Sequence, residues 1–240
     1  MKPTPTTYVL VHGAWHGGWC WSHVAERLRA AGHHVYTPTL TGLGERSHLL
    51  SPAIGLDTFV EDVCNVLTWE DLRDVVLVGH SFGGLAVAGA ADRMPERIRC
   101  LIFLDAFLLP PNTSAFDTLP AELVEKFEHG AAATGGIAPP RPTSLGLAAP
   151  EDIAFVQGRL TPHPIGTYRE PLRLAHPMGN GLPVSYWQCT TPPFPAVHAS
   201  RDWAWQTFGA QWDWKDLACG HDAMVAAPGL VVDALVQSAR

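Results

Sequence analysis

The chain has no long hydrophobic run: its apolar stretches, such as Val75–Val78 and Leu101–Leu104, fall far short of the about 20 residues a membrane span requires. It is poor in charge, with only 16% Asp, Glu, Lys and Arg, and the balance is acidic at −7. No cluster of Lys or Arg offsets that balance, so a nucleic-acid partner is not expected. Cysteine pairing is lacking too. Cys20, Cys64, Cys100, Cys189 and Cys219 make an odd number without a C-x-x-C spacing, which points to free thiols in a reducing, cytoplasmic setting. There are 12 histidines, yet no H-E-x-x-H and no carboxylates at ligand spacing, so neither a metal nor another cofactor is expected. The opening Met1-Lys2-Pro3-Thr4-Pro5 carries no apolar signal-peptide core, so no export signal is expected.

What is present is a 240-residue chain that is 47% apolar, enough for one large domain around a buried core. Short apolar runs recur at Tyr8–His12, Val35–Pro38, Val75–Gly79, Ile98–Asp105 and Phe194–Ala199, with a further strand-like run at Trp214–Ala218. Between or after them, helical spacing appears at Trp19–Ala31, Asp57–Trp69, Ser81–Arg93 and Pro228–Ala239. Apolar runs alternating with helices predict a mostly parallel sheet with helices on both faces, the α/β class. The texture changes in the middle, where 15 of the 21 prolines lie between Pro110 and Pro195. A structureless loop of that length is rare in a compact domain. The expectation is therefore a core formed by residues 1–107 and 194–240, with residues 108–193 inserted as a cap.

The most informative segment is Gly79-His80-Ser81-Phe82-Gly83, a G-x-S-x-G that follows one apolar run and opens a helix rich in small residues. A serine at such a strand-to-helix elbow projects from the sheet's C-terminal edge, with backbone N–H groups at the helix start aimed at developing negative charge. This pattern predicts the α/β-hydrolase fold and makes Ser81 the candidate nucleophile. The first strand ends in Leu10-Val11-His12-Gly13-Ala14, so the amides of Ala14 and Phe82 are the candidate oxyanion donors. His12 is expected only to orient that loop.

A serine needs a histidine to take its proton and a carboxylate to orient the histidine. Of the histidines after Ser81, His221 lies in a loop between the last strand-like run and the last helix, and is the candidate base. Two aspartates compete as the acid. Asp202 follows the run Pro195–Ser200 and is preferred; Asp105, at the end of Ile98–Asp105, is the alternative. Gly13, Trp15, Phe107, Trp187 and Trp203 are candidate substrate contacts, while most other aromatic residues of the cap region are expected to be packing.

The segments Val9–Trp19, Gly79–Gly84 and His221–Val225 resemble the plant methylesterase and hydroxynitrile lyase family and its bacterial esterase relatives, and the likeness extends through Ala149–Ala154. The resemblance implies a triad of Ser81, Asp202 and His221, with Ala14 and Phe82 as oxyanion donors. It also implies hydrolysis of a small carboxylic ester or lactone through an acyl-serine, without a cofactor. The lyases of that family carry threonine where this chain has Gly13, and lysine where it has Asp222. An aspartate beside His221 is expected to repel cyanide, which favours a hydrolase over a cofactor-free lyase; a non-catalytic receptor on the same scaffold is the third reading. The partner is thus expected to be a small-molecule ester and not a membrane or nucleic acid; a homodimer is left open.

Overall fold

The structure is a computed structural model that describes residues 5–238. The opening residues 1–4, and Ala239 at the end of the expected last helix, lie outside the described residues. The strands are β1 (Thr7–Val11), β2 (His34–Tyr36), β3 (Val75–His80), β4 (Ile98–Leu104), β5 (Gly136–Ile137), β6 (His163–Pro164), β7 (Val184–Cys189) and β8 (Asp213–Leu217). The α-helices are α1 (Ser22–Ala30), α2 (Leu56–Trp69), α3 (Gly83–Arg93), α4 (Ala121–Ala131), α5 (Pro150–Gln157), α6 (Gly166–Arg169), α7 (His198–Phe208), α8 (Ala223–Ala226) and α9 (Pro228–Ser238).

Six strands form one sheet in the order β2-β1-β3-β4-β7-β8, and every pairing in it is parallel. Parallel strands must be buried on both faces, and the side chains divide with the two-residue period of a strand. Val9, Val11, Leu77, Leu101 and Phe103 pack on the face carrying α2 and α3. Tyr8, Leu10, Val76, Val78, Ile102 and Leu104 pack on the opposite face, against α1 and α9. Helix α2 meets the sheet because Leu56, Phe59, Val60, Val63 and Leu67 recur on one side at helical spacing, all buried. The chain leaves β1 toward β2 and then crosses to β3 on the other side. The crevice at that switch point lies between the C-terminal ends of β1 and β3, where open α/β sheets place their ligands.

The inserted region differs from its expected bounds. β7 lies within the range expected to be cap, yet it is a full member of the main sheet between β4 and β8. Its sequence, Val-Ser-Tyr-Trp-Gln-Cys, is broken by polar residues and has no continuous apolar run. Conversely, Phe194–Ala199 is not a strand. Pro195 starts a short 3-10 turn, and His198 begins α7. The non-sheet insertion therefore runs from the end of β4 to the start of β7, and holds α4, the small antiparallel β5–β6 pair, α5 and α6. It is not all lid: α5 turns to the α1 face, where Phe155 meets Trp19 and His23.

Candidate active site

Ser81 follows β3 with φ +51°, a conformation that costs a non-glycine residue and is typical of a strained functional turn. The turn is held on both sides: the Ser81 amide donates to the Leu104 carbonyl at 3.1 Å, and the Ser81 carbonyl accepts from Phe107 at 2.8 Å. A side chain at Gly83 would run into the His12 carbonyl, so the elbow and the β1 loop can approach this closely only with glycine there. Gly13 faces the nucleophile, and a Cβ on it would stand 2.7 Å from the Ser81 Cβ.

The Ser81 hydroxyl lies 3.0 Å from His221 Nε2, and His221 Nδ1 lies 2.6 Å from Asp105 Oδ2. One tautomer satisfies both contacts: Nδ1–H donates to the carboxylate, and Nε2 accepts from the hydroxyl. Asp105 is 1% exposed, and its second oxygen accepts from the Cys189 amide at 3.1 Å. Its own amide donates to the Trp187 carbonyl at 2.7 Å, so the end of β7 fixes the acid from two directions. The phenyl ring of Phe194 stacks on His221 with centroids 3.9 Å apart.

Asp202, the preferred acid from sequence, is not at the site. It lies on α7, exposed, and pairs with neighbouring Arg201. The reason is that Phe194–Ala199 forms a 3-10 turn and the start of α7 and not a strand, so Asp202 has no strand end to carry it to His221. Asp105 does, because β4 lies between β3 and β7 and ends beside Ser81.

The remaining candidates divide. Trp15, Ser81, Phe82 and Phe107 line a cavity of about 130 Å³, closed by Leu123 and Phe127 of α4 and by Tyr168, Phe194 and Val197. Trp187 and Trp203 do not line it. Trp187 is fully buried on the α1/α9 face with its N–H on Ser185, and Trp203 packs edge-on against Phe208. Among the described residues, neither the Ala14 nor the Phe82 amide donates to another protein group. His12 orients the loop between them: its Nδ1–H donates to the Gly13 carbonyl at 2.8 Å, and Nε2 accepts from the Leu40 amide at 3.1 Å. Burial pushes its pKa down to about 3, so it is neutral.

A second buried histidine–carboxylate pair escaped the sequence. His16 Nδ1–H donates to the Ala14 carbonyl at 2.7 Å, and Nε2–H donates to Asp222 Oδ2 at 3.2 Å. Burial opposes charge on His16, but Asp222 overrides it and raises the pKa. Asp222 itself is 0% exposed, is absent from the cavity lining and faces His16. His80 adds a further buried ring, its Nε2–H donating to the His221 carbonyl at 2.9 Å; burial, then His221, hold its pKa well below the usual value. His80, His221 and Asp222 bring ligand-type atoms within 4.8 Å of one another, but both His221 nitrogens are already engaged by Asp105 and Ser81.

Residues 8–234 match the model of the alpha/beta hydrolase family. The chain is 36% identical to a carbendazim hydrolyzing esterase of Nocardioides sp. (strain SG-4G), over 95% of this chain and 97% of that one. It is 33% identical to methyl jasmonate esterase 1 of Vitis vinifera over 68% of this chain and 63% of that one. An alpha-hydroxynitrile lyase of Arabidopsis thaliana is 35% identical over 50% of this chain and 45% of its own. Among solved structures, an extracellular alpha/beta-hydrolase from a Paenibacillus species superposes with a TM-score of 0.83 at 26% identity, covering 98% of this chain and 100% of that one. With that match across nearly its whole length, and with the elbow and parallel sheet in place, the chain belongs to the alpha/beta hydrolase family.

Proposed function

We propose that this chain is a serine esterase that cleaves a small, apolar carboxylic ester through an acyl-Ser81 intermediate. The observation that carries the reading is the unbroken chain Ser81 Oγ–His221–Asp105 opening into an apolar cavity. His221 Nε2 takes the Ser81 proton as Oγ attacks the ester carbonyl, and Asp105 stabilises the imidazolium that forms. The Ala14 and Phe82 amides, free of other protein acceptors, hold the oxyanion. His221 returns the proton to the departing alkoxide, and water then repeats the sequence on the acyl-enzyme, releasing the acid and restoring Ser81.

The esterase relatives support the same reaction. Gly13 favours it over the lyase alternative, since a side chain there would press on Ser81. The five free thiols favour a reducing compartment, the cytoplasm. A fluorophosphonate probe is expected to label Ser81 covalently, and p-nitrophenyl acetate to be turned over. Ser81→Ala should abolish labelling and reduce turnover by roughly 10⁴-fold or more. Mandelonitrile cleavage without ester turnover would overturn the reading.

A further inference from the structure

The nucleophile's cavity has a larger neighbour. A second, mostly apolar cavity of about 550 Å³ opens at the surface between α4 and the segment after β5, bounded by buried Ile137 and by exposed Lys126, His129, Gly130 and Ala138. Two side chains line both cavities, Trp15 and Phe127. The inner space of about 130 Å³ lies below the roughly 300 Å³ at which pockets begin to hold drug-sized ligands, whereas the outer one is within that range.

The wall between them is built and held. Trp15 adopts φ +64°, a left-handed conformation unusual for a bulky residue. Its indole N–H donates to the Ile137 carbonyl at 3.1 Å, which ties the β1 loop to the cap and fixes the ring between the chambers. From the cap side, Phe127 packs edge-on against Tyr168, with centroids 6.0 Å apart.

We propose that Trp15 and Phe127 form a partition that sets the length of ester the enzyme accepts, Trp15 being the specificity-determining residue. The partition confines substrates to short substituents, and the outer chamber is a latent subsite for a longer apolar chain. This inference rests on the esterase reading, and its test separates the two.

The ratio of kcat/KM for p-nitrophenyl octanoate to that for the acetate is measured in the wild type, Trp15→Gly and Phe127→Ala. Trp15→Gly removes the wall and suits the positive φ; Phe127→Ala opens it without touching the β1 loop. Each variant should raise the ratio by about tenfold, the effect of roughly two additional buried methylene groups. Adding Ala138→Trp to Trp15→Gly should obstruct the outer chamber and lower the ratio back toward the wild-type value. Folding is checked by the thermal melt. An unchanged ratio in both folded single variants, or a gain that Ala138→Trp does not reverse, overturns the partition. Calorimetric binding of octanamide against acetamide, in Ser81→Ala with and without Trp15→Gly, reads the same wall without hydrolysis. A failed esterase reading with a surviving partition would therefore show as tighter octanamide binding and no ester turnover.

Discussion

Two histidine–aspartate pairs are fully buried among the described residues, His221–Asp105 and His16–Asp222, and they flank the same loop chemistry to opposite ends. The difference is what the other ring nitrogen meets. In His221 it meets the Ser81 hydroxyl, which can donate, so the ring keeps a lone pair and remains a base. In His16 it meets the Ala14 carbonyl, which can only accept, so Nδ1 carries a proton, and the Asp222 carboxylate at Nε2 favours a second one. The first pair is thus built to move a proton and the second to hold one. His16 fixes the carbonyl of Ala14, while the peptide unit that carries the Ala14 amide, a proposed oxyanion donor, is held by His12 through the Gly13 carbonyl.

Replacing the base should give the largest effect. His221→Gln is expected to lower p-nitrophenyl acetate turnover by about 10⁴-fold while leaving the urea midpoint nearly unchanged. His16→Ala should do the reverse. It strands the Asp222 carboxylate in the interior and should cost about 3–5 kcal/mol of stability, with a far smaller loss in turnover per folded molecule. Comparable losses of turnover in both variants would erase the distinction between the pairs.

The same distinction predicts a pH dependence. His12, His80 and His163 are buried neutral, His12 and His163 with pKa values pushed down to about 3 by burial. The unfolded chain binds protons at these residues below pH of about 6.5 and the folded chain does not, so stability should fall on acidification, by up to about 1.4 kcal/mol per pH unit for each. His16 works in the opposite sense. Its raised folded pKa makes its contribution complete below about 6.5 and lost as pH rises through the folded value. Urea denaturation should therefore show an alkaline decline in the wild type that is reduced in His16→Gln, with the acid-side decline retained. Identical alkaline limbs would contradict a charged His16.

How much of this was legible follows from which signals are local. The elbow around Ser81 depends on a few adjacent residues, and His221 on chain order, and both could be read. So could the parallel sheet, because strands buried on both faces show as apolar runs. β7 could not, since Ser185 and Gln188 interrupt its run and its place is fixed by pairing with β4 and β8. That omission moved the acid: without β7, a residue after Pro195–Ser200 stood in for the strand-end carboxylate, and Asp202 displaced Asp105. The His16–Asp222 pair joins residues 206 positions apart and leaves no local trace beyond two polar residues in apolar company. Trp15 could be read as a candidate substrate contact, but its proposed part as a wall depends on the cap segment around Ile137, whose fold has no strong periodic pattern.

The most direct test of the account is the turnover of p-nitrophenyl acetate by Asp105→Asn and Asp202→Asn, side by side. Asp105→Asn should lose about 10⁴-fold, because the asparagine cannot stabilise the His221 imidazolium. Asp202→Asn, which removes only an exposed pairing with Arg201, should stay within about twofold of the wild type. Full activity in Asp105→Asn with loss in Asp202→Asn would contradict the triad.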